Sequence, residues 1–193
     1  GGGPQKGNFA GLLDAVGLRP NSGEIVWDLS YRKFPGGELL PEFVFVRDLG
    51  FADDSAITKG LQNIVLLMSG HVSPTGAKGF TFTPLLRSRE IAVSKEPNGI
   101  TRKSSIFQQS LFGMQLNPNP RRERRNADLA IAARSQGKPA VCNTKGVDVV
   151  YVADLDLVSN QFFQLRRQMS DPNLRFDNVT FVLRSDGTIT VDG

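Results

Sequence analysis

The sequence predicts an α/β protein, a sheet covered by helices, and three observations carry that expectation. Val147 to Ala153 is an almost continuous β-branched and aromatic run of the sort a strand buried on both faces requires. After it come two aspartates, Asp154 and Asp156, then Ser159 as an N-cap and Phe162, Phe163, Leu165 and Met169 at spacings that give one apolar helical face. Near the start, Asn8 to Val16 repeats apolar residues at 9, 12, 13 and 16, again a helical period, and Gly17 supplies the stop. The expected arrangement around residues 146–169 is therefore a central strand, a short acidic loop and a helix. Ligands of open α/β sheets sit at the carboxyl ends of the strands, which makes Asp154, Asp156 and Ser159 the candidate ligand-binding residues.

The remaining elements follow in chain order. Glu24 to Asp28 and Glu42 to Arg47 read as strands, separated by a Pro35-Gly36-Gly37 break. Asp53, Asp54 and Ser55 precede Ile57 and Leu61, an arrangement suited to capping a short helix, and Asn63 to Met68 is a further strand. Ser69 to Gly79 reads as a flexible connection. Its glycines lack the spacing of a phosphate-cradling loop, and Lys78 does not restore it. Phe80, Phe82, Leu85 and Leu86 form an apolar patch, Ile91 to Val93 is a short strand, and Ile100 to Gln115 is polar and ambiguous. Asp128 to Arg134 is a strand. Asn178 to Leu183 and Thr188 to Val191, joined by Ser185-Asp186-Gly187, form a hairpin.

Composition narrows the function. A chain of 193 residues holds a sizeable core and is most simply one domain. Its longest apolar run, Ile64 to Met68, falls far short of the roughly 20 residues a membrane span needs. The amino terminus, Gly1-Gly2-Gly3-Pro4-Gln5-Lys6, with neither an initiator methionine nor an apolar signal core, suggests an excised or processed segment of something larger. One cysteine, Cys142, excludes an intramolecular disulfide, and together with a single histidine, His71, it argues against zinc, while nothing in the sequence around His71 marks a catalytic triad. No cofactor and no metal site is expected. The run Arg121, Arg122, Glu123, Arg124, Arg125 follows Asn117-Pro118-Asn119-Pro120 without interleaved aromatics, so it reads as a solvated loop rather than a footprint for nucleic acid or anionic lipid.

Several stretches together resemble the ABC-type transport system auxiliary component family, the GldG-like, gliding-motility-associated extracytoplasmic domain. They are Asn8 to Gly17 with Ile25 to Asp28, Ile57 to Leu61 leading to Val65-Leu66-Leu67, Phe82 to Ser88, Ala130 to Gly137, Val149 to Phe163 and Phe176 to Leu183. The resemblance implies a Rossmann-like or flavodoxin-like domain on the periplasmic, outer face of the bacterial inner membrane. It implies tethering by membrane segments outside this chain, an ABC permease and its ATPase as partners, and no catalytic residues. It also implies further strands upstream of Gly1, so that this chain holds the later part of an incomplete domain, and it finds no match for Arg184 to Gly193. Two other functions compete with this non-enzymatic accessory role. One is a metal-dependent hydrolase holding Mg²⁺ between Asp154 and Asp156. The other is a saccharide-binding module using Trp27, Tyr31 and Tyr151, the chain's only tryptophan and tyrosines.

Overall fold

The computed structural model describes residues 9–29, 33–34, 37–38, 40–88, 97–110, 113–138, 146–154, 180–183 and 189–192. The expected strand at Ile91 to Val93, the helix after Ser159, Asp156, Ser159, Tyr31 and Cys142 lie outside them. In chain order the described elements begin with α1 (Phe9–Ala15), β1 (Leu18–Pro20), β2 (Glu24–Asp28), β3 (Lys33–Phe34), β4 (Gly37–Glu38) and β5 (Phe43–Arg47). A 3₁₀ turn (Asp48–Gly50) leads to β6 (Asn63–Leu67), β7 (Val72–Pro74), β8 (Phe80–Arg87) and β9 (Asn98–Arg102). Then come α2 (Lys103–Ile106), β10 (Phe107–Ser110), β11 (Gly113–Leu116), β12 (Arg122–Arg124), β13 (Ala130–Gly137), β14 (Val147–Val152), β15 (Thr180–Leu183) and β16 (Ile189–Asp192).

Every described strand pairing is antiparallel. Two three-stranded sheets, ordered β12-β9-β2 and β14-β13-β8, stand beside the pairs β1-β7, β5-β6, β10-β11, β3-β4 and β15-β16. This corrects the α/β expectation, including the Rossmann-like or flavodoxin-like sheet implied by the family resemblance. Such folds need parallel strands joined by helical crossovers, and the described helices are a seven-residue and a four-residue segment.

The run Val147 to Ala153 shows why the expectation failed. Its strand, β14, lies at the edge of its sheet rather than at the centre. Val149 and Tyr151 turn toward one apolar cluster, whereas Asp148 is exposed and Val150 is 47% exposed. That alternation belongs to an antiparallel strand with one wet face. Asp148 was the signal, the single polar residue in the run. It accepts from Arg134 Nε of neighbouring β13 at 2.7 Å, and Arg134 Nη2 bonds its other oxygen. The register setting Asp148 opposite Gln136 makes this a diagonal cross-strand pair.

The main core gathers Val26 of β2, Val44 and Val46 of β5, Leu66 of β6, Leu85 and Leu86 of β8, and Ile131 and Ala132 of β13. A second cluster seats Leu13 of α1 against Leu18, Val72 and Ala133. Of the predicted helical face, Leu13 points inward and Val16 packs beside it, while Phe9 and Leu12 face solvent. Gly17 ends the helix with φ +80°, a left-handed conformation only glycine takes cheaply, and a Cβ there would meet Phe80 at 3.0 Å.

Strands β2, β5 and β6 fall where the sequence places them. The connection from Ser69 to Gly79 instead contains β7, and residues 100–115 contain parts of β9 and all of α2 and β10. The aspartates at 53 and 54 precede a series of turns rather than a helix, with Ser55 Oγ accepting from Ile57 N at 3.3 Å. At the carboxyl end β15 and β16 pair from Thr180↔Asp192 to Leu183↔Ile189, the hairpin expected from Asp-Gly.

Candidate functional site

Asp154 follows β14 and is buried. Its Oδ2 accepts the backbone N–H of Leu67 at 3.1 Å, a residue 87 positions earlier. Beside it, Ala153 N donates to Ile131 O at 2.9 Å and Gly70 N to Ala153 O at 2.8 Å. These bonds tie the end of β14 to β13 and to the chain leaving β6. Asp156 and Ser159 lie outside the described residues, and no group of three or more His, Cys, Asp or Glu side chains able to hold a metal occurs among the described ones.

A second cluster was not legible from sequence spacing. Residues 21, 24, 71 and 73 converge because β1 pairs with β7, Pro20 opposite Val72 and Arg19 opposite Ser73. His71 Nε2 lies 2.7 Å from Glu24 Oε2, and its Nδ1 lies 3.2 Å from Asn21 Nδ2. The same amide donates to Ser73 Oγ at 3.0 Å. With Asn21 so oriented, a neutral imidazole accepts at Nδ1 and donates from Nε2 to the carboxylate. The residue types suggest a hydrolytic triad, but the geometry does not make one. Asn21 stands between Ser73 and His71, so no ring nitrogen is placed to take the serine proton. Both nitrogens are engaged by the protein's own groups, which makes the cluster a clasp between two loops. Its charges continue outward, from Glu24 Oε1 to Arg125 Nη2 at 3.5 Å and from Arg125 to Glu123 Oε2 at 3.8 Å.

The basic run is the clearest local correction. Arg122–Arg124 is not a loop but β12, paired with β9 in the register Arg122↔Thr101 to Arg124↔Gly99. Its reason is Glu42, almost wholly buried just before β5. Arg122 meets it bidentately, Nε to Oε1 at 2.8 Å and Nη2 to Oε2 at 3.0 Å, and Thr101 Oγ1 donates to Oε1 at 2.9 Å. A carboxylate taken out of water needs such a planar, two-point partner. Along β12 Arg122 and Glu123 are half-buried and Arg124 is exposed, so no alternation in the run marked it as a strand.

Of the aromatic candidates, Tyr31 lies outside the described residues, and Trp27 and Tyr151 offer no stacking platform. Trp27 is 3% exposed. Tyr151 is half-buried against the second cluster, and that burial pushes its phenol pKa up.

Taken together, these features define an antiparallel β-rich domain whose described polar clusters are occupied in holding strands and loops together. A family model described as an ABC-type uncharacterized transport system matches residues 1–185. The chain belongs to that family and is an auxiliary component of an ABC transport system. The family associates it with transporter components and with a membrane system, while among the described residues no helix is long and apolar enough to cross a membrane. No curated protein and no solved structure matches the chain. The resemblance to the ABC-type transport auxiliary family read from the sequence therefore holds at the level of that family, and the fold attached to it does not.

Proposed function

We propose that this chain is a non-enzymatic accessory domain on the extracytoplasmic face of the bacterial inner membrane, bound to the permease of an ABC system and through it to the ATPase. A system of the gliding-motility type is the reading that accompanies it. The supporting observation is family membership across residues 1–185. In keeping with it, His71 and Glu42, the groups best suited by type to chemistry, are committed to internal contacts. The test is affinity purification of the tagged parent protein from detergent-solubilised membranes. Permease and ATPase are expected to co-elute at fixed ratio, and recovery of both without this protein ends the proposal.

Asp154, Asp156 and Ser159 are further proposed as a ligand-binding loop, on the position of Asp154 just past a strand's carboxyl end. A thermal-shift panel of sugars, nucleotides, peptidoglycan fragments and divalent metals tests this. A ligand at a hundred times its dissociation constant adds about 2.7 kcal/mol to the folded state. A shift that persists in Asp154→Ala removes the site. Residues 1–193 are taken as one domain, expected to melt in a single transition, and two resolved transitions would divide it.

A further inference from the structure

The hairpin β10–β11 is an arm with no sheet to belong to. Its strands pair with each other alone among the described residues, from Phe107↔Leu116 to Ser110↔Gly113. An isolated two-stranded hairpin is marginal in water and gains stability when one face is covered. This one has an apolar face to cover. Residues opposite one another share a face and alternate along each strand, so Phe107, Gln109, Met114 and Leu116 lie on one side, with Gln108, Ser110, Gly113 and Gln115 on the other. Phe107 is 45% exposed and Met114 64% exposed.

The root of the arm is firmly held and cationic. Asn117 N donates to Ile106 O at 2.6 Å and Asn117 Nδ2 to Ser105 O at 2.9 Å, closing the hairpin onto α2. The register that sets Arg122 opposite Thr101 carries Arg121 alongside Arg102, next to Lys103. Lys103 and Arg121 are exposed and form no ion pair with the described residues. From Lys103 to Arg121 there is no acidic residue. Residues 97–126 hold six cations against Glu123, a net of +5 where the whole chain carries +4. Glu42 and Glu24, from outside this segment, pair with Arg122 and Arg125, and Glu123 faces Arg102, so the free positive charge beside the arm is that of Lys103 and Arg121.

We propose that this chain itself contacts the membrane through the arm, with Phe107 and Met114 entering the interface of an anionic phospholipid bilayer and Lys103 and Arg121 on its headgroups. The choice of a lipid surface follows from charge: exposed apolar side chains with two cations at their root, unpaired among the described residues, match the acyl boundary and anionic headgroups of one bilayer leaflet. This goes beyond the accessory role, which assigns membrane attachment to segments outside the chain.

Vesicle co-sedimentation of the purified chain tests it, using phosphatidylcholine with and without phosphatidylglycerol. Binding is expected only with the anionic lipid and is expected to weaken as salt rises. Lys103→Gln with Arg121→Gln should reduce the partition coefficient about thirtyfold, from about fivefold per cation. Phe107→Ser with Met114→Ser should reduce it about tenfold or more. Both double variants substitute exposed side chains, and unchanged melting temperatures will show that the fold is kept. Failure to bind either vesicle overturns the proposal. Anionic binding unaffected by the Phe107 and Met114 changes also overturns it, as adsorption by charge alone. Concentration-dependent self-association that those changes abolish, without vesicle binding, would assign the arm to a second copy instead. No transporter subunit is present in the assay, so its outcome is independent of the co-purification above.

Discussion

Strand β9 and hairpin β10–β11 are neighbours in the chain and of similar polarity, yet their surroundings are opposite. The first four residues of β9, Asn98 to Ile100 with Thr101, are buried, because β12 and β2 pair with it on either side. In β10, three of four residues are exposed, and among the described residues only β11 pairs with it. Composition scarcely separates Asn-Gly-Ile-Thr from Phe-Gln-Gln-Ser. What separates them is the number of paired edges and the presence of Glu42 beneath Thr101 and Arg122. A strand's stability here comes from long-range partners rather than from its own residues.

The sharpest way to break that contrast is Glu42→Ala. It leaves the half-buried Arg122 without its carboxylate, and about 3–5 kcal/mol of stability should be lost in chemical denaturation. A loss below 1 kcal/mol would mean that the pair contributes little to joining β5 to the sheet. Leu66→Ala, which opens a cavity in the main core, is expected to cost about 2–5 kcal/mol by the same measurement. Next comes Gly99→Ala, where the new Cβ would meet Glu123 O at 1.9 Å, a backbone atom that must move. About 1–3 kcal/mol is expected, with faster amide exchange along β12. The hairpin should show the reverse behaviour: Phe107→Ser ought to change stability by no more than about 0.5 kcal/mol, since the side chain is 45% exposed and its strand pairs only with β11 among the described residues.

The smallest expected effect is pH-dependent. The Arg134 guanidinium holds the exposed Asp148 carboxyl below its ordinary pKa. Because the folded value lies below the unfolded one, the stabilisation is present above the ordinary carboxylate range and disappears as pH falls through the folded pKa. Asp148→Asn should therefore differ from the parent in melting temperature only above that range, and a gap that widens in acid would contradict the pairing.

Local pattern was sufficient for β2, β5, β6, β14 and α1, whose apolar periods are written in consecutive residues. It misassigned how they assemble. The Val147 run carries enough β-branched residues for a buried parallel strand, and only Asp148 argued otherwise. Strands β7 and β12 were unreadable for a different reason: Val72–Pro74 and Arg122–Arg124 are three residues each, too short to show a period, and exist because distant strands receive them. The clasp around His71 is likewise a product of β1 meeting β7 across some fifty positions. Asp154 was found by sequence reasoning as a residue at a strand's end, but its bond to Leu67 N could not be, since that partner lies on another sheet.

The Glu42–Arg122 pair, 80 residues apart, also sets a clock on biosynthesis. A chain emerging amino end first exposes Glu42 before its partner has been made. At about 5–20 residues per second the delay is about 4–16 s. Through that interval β5 and β6 can already form their local hairpin, with the carboxylate still hydrated at its mouth. Closure of the sheet must wait for β12, so the step that dries Glu42 comes late, and it comes as a single event joining the two halves of the chain.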